Sequence, residues 1–381
     1  MPLNPRPAVA FTSRRQRTAG RLHAMRLRVR TVGVSVGLLC LAVVPLLGQG
    51  RGGQPKTEWH VSDAADLMEA VAATGTGRTI YLSPGTYVFT EPLVLTGENH
   101  VNIIGGGWDT VIHRTGPGEA VVFQDCGFCM LRDLMVTGSD GATDGIVYRG
   151  NSSSNIVDHC RISGFAESGL RYEGSPESPM SSNAARDCHF IDNAGTQLRS
   201  HWNNDFFIIG NQFGCWQAAP KVGAWLSHSS AGTYSMNYHW GNDVAFRMGP
   251  GADYNRIENN RFEQSRQSGI IIGNPDEPDQ WNRFNTLVGN TIHTNSEGNM
   301  RAYDAVVAYD SHDTIFTGNQ VFSWYPPTTQ HRSGLVLGRG TDTWIVKDNI
   351  FRHNSGPAIV YDEGAGHIVS DNLVDTKPWG Q

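Results

Sequence analysis

The sequence predicts an all-β protein wound as a solenoid of stacked rungs beneath one N-terminal helix. Three observations predict it. Cys160, Cys188, Asn211, Tyr238, Asn260, Asn290, Asn319, Asn349 and Asn372 recur 22–30 positions apart, each two places before an apolar residue. A repeat of that length marks units that bury their apolar faces only against their neighbours. A second series, Ile146, Leu170, Leu198, Ala224, Val244, Ile270, Val306, Leu335 and Ala358, opens strands in which this residue and the one two later face inward. Finally, 44 glycines and many Asn and Asp residues provide frequent turns, while helix formers are scarce.

Residues 1–50 read as an extension and a signal peptide. They carry eight arginines and no Lys, Asp or Glu, with an apolar run from Val32 to Leu47 and small residues at Gly48 and Gly50. This is the layout of a secretory signal over residues 25–50, with Met25 as the start and cleavage after Gly50. The run is short for a membrane span, so the processed chain is expected to be secreted or periplasmic and free of membrane. The remainder holds 22 basic residues (30 less these eight) against 36 acidic ones, a balance of −14. No basic stripe is present, which argues against nucleic acid as a partner.

Residues 51–61 form a linker and residues 62–381 a single solenoid. Ser62 or Asp63 caps a helix over 63–74, whose apolar residues Leu67, Met68, Val71 and Ala72 follow helical spacing before Gly75 ends it. Such a helix covers the open end of a stacked core. "TIYLSPGTYVF" gives two strands around a Pro-Gly turn, and rungs follow from Val101. The periodic asparagines are read as corner residues that accept a left-handed backbone and stack their amides from rung to rung. Cys160 and Cys188 occupy equivalent ladder positions, near enough for a disulfide or for two stacked thiols. Cys126 and Cys129 lack a second pair at zinc spacing, so no metal site is assigned.

The capping helix followed by "RTIYLSPGTY", the "NIIGGG" rung and the asparagine-cornered rungs resemble the pectate-lyase-like superfamily over about residues 58–375. The resemblance implies a single-stranded right-handed parallel β-helix of about ten rungs with an N-terminal capping α-helix. That superfamily holds lyases, hydrolases, fructotransferases, epimerases, tailspikes and adhesins, so the fold leaves the activity open. "NIVDHCRIS" is similar to a strand of secreted pectate lyases, but the calcium-holding aspartates of that family have no counterpart here. Calcium is therefore possible without a clear site, and a monomer or homotrimer is implied.

Two adjoining outward columns carry the candidate chemistry. One, read in register, is Val147, Arg171, Arg199, Trp225, Ala245, Ile271; the other runs through Arg149, Glu173, His201, Ser227, Arg247 and on to Tyr309. Stacked arginines repel unless an anion sits among them, so the columns predict a cleft for an acidic sugar chain. Arg171 and Arg199 would neutralise a uronate carboxylate, His201 would take the neighbouring proton, Tyr148 or His228 would protonate the leaving oxygen, and Arg247 stands with them at the centre of the site. Glu173 belongs to the same catalytic group. Arg149, Trp225, His228, Tyr309 and Trp281 would bind substrate, the aromatic faces suiting a sugar ring. A polysaccharide lyase or epimerase is thus the first reading. A hydrolase or fructotransferase would need paired carboxylates such as Asp144 with Glu173, or members of the set Asp304, Asp310 and Asp362. A non-catalytic glycan-binding or adhesin β-helix is the third reading.

Overall fold

Each rung of the computed structural model is built from three short strands, for example Ile156–Asp158, Arg161–Ser163 and Ser168–Glu173. Rung stacks on rung to give parallel sheets of 13, 12 and 11 strands, so the expected right-handed parallel β-helix is what the chain forms, with about eleven turns. The structure describes residues 57–73, 75–217, 220–274, 276, 281–324 and 331–375, all within the second of two units, residues 1–53 and 54–381. The signal peptide, the start at Met25 and cleavage after Gly50 lie outside the described residues. No helix among the described residues is long and apolar enough to cross a membrane.

The linker is shorter than the sequence suggested, because Glu58–Val61 is already a strand paired with Thr79–Leu82. Asp63 is the cap of the helix Ala64–Ala72, its carboxylate accepting from the Asp66 N–H at 2.9 Å. Leu67, Ala70 and Val71 face the first rung, and the buried Arg78 guanidinium donates to the Val71 carbonyl at 3.2 Å, tying the cap to the barrel.

The ladder exists, with two corrections. Asn211, Asn237, Asn260, Asn290, Asn319, Asn349 and Asn372 are its members, so Asn237 and not Tyr238 occupies that rung. The apolar marker two places on misled the reading: the inward residue there is His239, and Trp240 faces out. The asparagines also do not themselves take the left-handed backbone. The residue before each one does: Met236 (φ 55), Asn259 (φ 56), Gly289 (φ 66), Gly318 (φ 64) and Asp348 (φ 57). From Asn237 on, each ladder amide instead accepts from the backbone N–H and side-chain amide of the rung before, and donates to a carbonyl in that rung. Cys160 and Cys188 continue the column as free buried thiols, the Cys160 N–H lying 3.5 Å from Cys188 Sγ. A second corner repeats the device through Asn155, Asn183, Asn255 and Asn285.

The interior is apolar and stacked. Phe123, Tyr148 and Tyr172 pile at 4.6 and 5.4 Å, and Phe190 lies on Phe213 at 5.1 Å. Burying each such side chain contributes about 1.5–3 kcal/mol. The inward series needs two changes: Phe246, not Val244, opposes Ala224, and Ile359, not Ala358, opposes Leu335. A two-residue slip keeps the same face inward, so alternation alone could not choose between Val244 and Phe246.

Two histidines belong to the core. His239 lies between Phe213 and Phe262, its ring nitrogen 2.5 Å from the Tyr234 hydroxyl, and burial pushes its pKa down from 6.5 to about 3. Burial likewise lowers His331 to about 4. The unfolded chain takes up these protons first as pH falls, so this stability is fully present above pH 6.5 and declines towards pH 4. Melting temperature should fall across that window, and His239→Phe should flatten the fall. Asn290→Ala should lower unfolding free energy by several kcal/mol in urea titrations, since each buried group orphaned by the change costs about 1–3 kcal/mol.

Candidate functional site

The strands Asp144–Arg149, Ser168–Glu173, Thr196–His201, Val222–Ser227 and Val244–Met248 lie side by side in the 11-stranded sheet. Their register puts Val147, Arg171, Arg199, Trp225, Arg247 and Ile271 in one outward row. Arg247 therefore joins the first column, where Ala245 was expected, and leaves the second. Arg149, Glu173, His201 and Ser227 form the adjoining row on the same side.

This register sandwiches Trp225 between two cations. The Arg199 guanidinium carbon is 5.0 Å from the centre of the indole and that of Arg247 is 5.2 Å away, inside cation–π range. Gly249 makes the arrangement possible, since a Cβ there would stand 2.8 Å from Trp225 Nε1. The Nε atoms of Arg199 and Arg247 and the indole nitrogen are buried without a protein hydrogen-bond partner. Among the described residues, neither guanidinium has a carboxylate within ion-pair distance.

The other two arginines differ. Arg171 reaches Glu119 at 3.1 Å, Asp144 at 3.5 Å and Glu173 at 3.7 Å, and Arg149 reaches Glu119 at 2.9 Å. Arg171 is thus an ion-pair hub whose charge is already compensated, and Glu173 is one of its partners. Asp144 and Glu173 do share one guanidinium, but Asp144 is buried, which raises its pKa against the opposing pull of Arg171. Asp304 is doubly bound by Arg332, Asp310 pairs with Arg339, and Asp362 caps a short 3₁₀ turn, so this second carboxylate set serves loop structure. Glu119 had no signal in the sequence, because it stands in a loop outside the repeating positions.

His201 is half-buried with Nδ1 2.8 Å from the Ser227 hydroxyl. Burial, then the proximity of His228 and Arg199, lowers its pKa, so the imidazole is neutral near pH 7 and able to accept a proton. His228 stands edge-on to His201 at 5.4 Å and stacks on Trp202 at 4.5 Å; burial lowers its pKa too. Trp202 was not singled out in the sequence, although it directly follows His201. Tyr148 is fully buried in the aromatic stack and is excluded as an acid. Beyond Arg247 the row opens into a hollow of about 340 Å³ lined by Ile271, Tyr303, Asp304 and Tyr309. Trp281 is not part of this face: it stacks on His312 at 4.1 Å in a separate hollow of about 490 Å³ with Arg283, Asp313 and Asp342. Among the described residues, no group of three or more His, Cys, Asp or Glu side chains is placed to hold a metal ion.

Comparison with known proteins agrees with the architecture. The family described as right handed beta helix region matches residues 242–378, and the periplasmic copper-binding protein (NosD) family matches residues 137–303. No curated protein sequence matches the chain. Among solved structures, the mannuronan C-5 epimerase AlgE6 A-module of Azotobacter vinelandii aligns with a TM-score of 0.63 at 15% identity, over 86% of this chain and 98% of that one. The Dettilon tailspike protein aligns with a TM-score of 0.65 at 12% identity, over 82% of this chain and 63% of that one. The periplasmic alginate epimerase AlgG aligns with a TM-score of 0.57 at 11% identity, over 83% and 84%. The class these findings define is the right-handed parallel β-helix. At these identities the likeness carries the fold, and the copper implied by the NosD description finds no matching ligand cluster among the described residues.

Arg171→Ala should destabilise the protein measurably in thermal unfolding, because it leaves Asp144 buried and unpaired. Arg199→Ala and Arg247→Ala should change the melting temperature little and act instead on ligand binding, read by isothermal titration.

Proposed function

We propose that the chain is a carbohydrate-active β-helix that binds an acidic, uronate-containing polysaccharide across the Arg199, Trp225 and Arg247 face and acts on it as a lyase or epimerase. The observation that carries this reading is the pair of arginines stacked on one indole, with no carboxylate partner among the described residues. Guanidinium forks suit sugar carboxylates, the indole holds the two forks in place, and Tyr309 offers an apolar face to a pyranose ring. The mannuronan and alginate epimerases among the similar folds are in keeping with a glycan substrate.

Both reactions begin with loss of the proton next to the carboxylate. Arg199 and Arg247 neutralise the carboxylate and stabilise the charge that develops on it. His201, neutral and oriented by Ser227, takes the proton. His228 is the group placed to return one, either to the leaving oxygen or to the opposite face of the ring. The polymer lies along the solenoid axis and continues past Arg247 into the hollow beside Tyr309. The arginine-rich, apolar N-terminal segment and the periplasmic descriptions of NosD and AlgG support export to the periplasm or beyond.

The test is incubation with alginate, pectate and glycosaminoglycans in deuterated water, following ultraviolet absorbance of unsaturated product and deuterium at the carbon bearing the carboxylate. Absorbance marks a lyase, and deuterium without absorbance an epimerase; neither signal on any uronate polymer sinks the catalytic reading. His201→Ala should lower kcat at least about a hundredfold with KM little changed. Because His201 must be neutral and His228 protonated, and both pKa values are lowered from 6.5, kcat/KM should be highest below pH 6.5 and fall as pH rises through neutrality.

A further inference from the structure

The 12-stranded sheet carries a second polar cluster that shares no residue with the arginine row. Its strands Arg261–Glu263 and Thr291–His293 are parallel neighbours, with Glu263 opposite His293. Both side chains are more than nine-tenths buried although they point away from the barrel core. His293 Nε2 lies 2.7 Å from Glu263 Oε2, and His293 Nδ1 lies 2.8 Å from the Thr294 hydroxyl. Glu263 is ionised: burial works against its charge, but bonds from His293, Tyr238 and Arg261 outweigh this and hold its pKa low.

An ionised carboxylate only accepts, so Nε2 carries the proton and Nδ1 turns its lone pair to Thr294 Oγ1. The result is a hydroxyl, imidazole and carboxylate in series. Thr294 adds a backbone signature, a φ of 55 on a β-branched residue. The corresponding corners of other rungs use Gly164, Asp192, Gly241, Gln264 and His353, so the left-handed turn belongs to the rung and Thr294 is the β-branched residue among them. A strained β-branched residue persists where the surroundings fix it, and such positions concentrate at functional sites. The three residues open on a cavity of about 210 Å³ that Arg261, Gln264 and Trp324 complete.

We propose that Thr294, His293 and Glu263 form an acyl-transfer site that hydrolyses small carboxylic esters. Thr294 Oγ1 attacks the ester carbonyl as its proton passes to His293 Nδ1, and Glu263 stabilises the imidazolium. The side chains of Arg261 and Gln264, which line the cavity, supply N–H donors to the oxyanion. The intermediate collapses by breaking the bond to the alcohol oxygen, which leaves with the proton from Nδ1, and the acyl group stays on Thr294. Water then attacks the acyl carbon, giving its proton to Nδ1; the carboxylic acid departs and Thr294 regains its proton from the imidazolium.

The test uses the full chain with p-nitrophenyl acetate and, separately, a fluorophosphonate probe followed by peptide mass mapping. The expected results are release of p-nitrophenolate and a label on Thr294. Thr294→Val and His293→Gln should each lower turnover at least about a hundredfold, while Thr294→Ser keeps it. Circular dichroism melting of each variant separates lost chemistry from lost folding. A wild-type chain inert to both reagents overturns the proposal, and so does Thr294→Val turning over as fast as wild type. The uronate assays are run on the same preparation of the chain, so failure of this site and failure of the uronate reading are told apart.

Discussion

The structure depends on one interaction repeated along its axis: a buried asparagine amide that accepts from the rung before it and also donates back to it. Parallel strands fix the spacing at about 4.8 Å but leave sliding along the strand open. The amide removes that freedom, since Asn290 engages both the N–H and the side chain of Asn260 and can do so only in one register. The preceding left-handed residue turns the chain so that the asparagine points inward. A buried polar column is costly unless every member is satisfied, and each member here bonds to the next.

That register governs the candidate site. Whether Arg247 stands beside Trp225 or one rung position away depends on a two-residue choice in a single strand, and the indole is flanked on both sides only in the observed pairing. Proximity then sorts the arginines by partner. Glu119, reaching in from a loop, compensates Arg149 and Arg171 and leaves Arg199 and Arg247 as the cations open to an external anion. The same rigid ladder lets different outer faces carry different chemistry, because an outward side chain costs the core nothing. On one face it displays the arginine row, and on another the Thr294, His293 and Glu263 series.

Much of this was legible in the amino-acid order. The repeat spacing, the capping helix with Asp63 at its start, the inward apolar series and the clustering of Arg171, Arg199, Trp225 and His201 on one face all follow from periods of 3.6 and 2 and from the length of one turn. Errors arose where the core departs from apolar composition or where two registers satisfy the same alternation. His239 is an imidazole in an aromatic stack, so the rung was anchored on Tyr238 instead of Asn237. Glu119 and Trp281 sit in loops, whose path no period describes.

The sequence by itself therefore determined the fold, because a repeating pattern of buried apolar residues and corner asparagines admits one economical way to hide its surface. The tertiary structure decided which charges are free, which imidazole faces which hydroxyl, and which aromatic belongs to which hollow. Those outcomes turn on contacts of about 3–5 Å between residues about 20–50 positions apart, and a one- or two-residue change of register, invisible to periodicity, rearranges them.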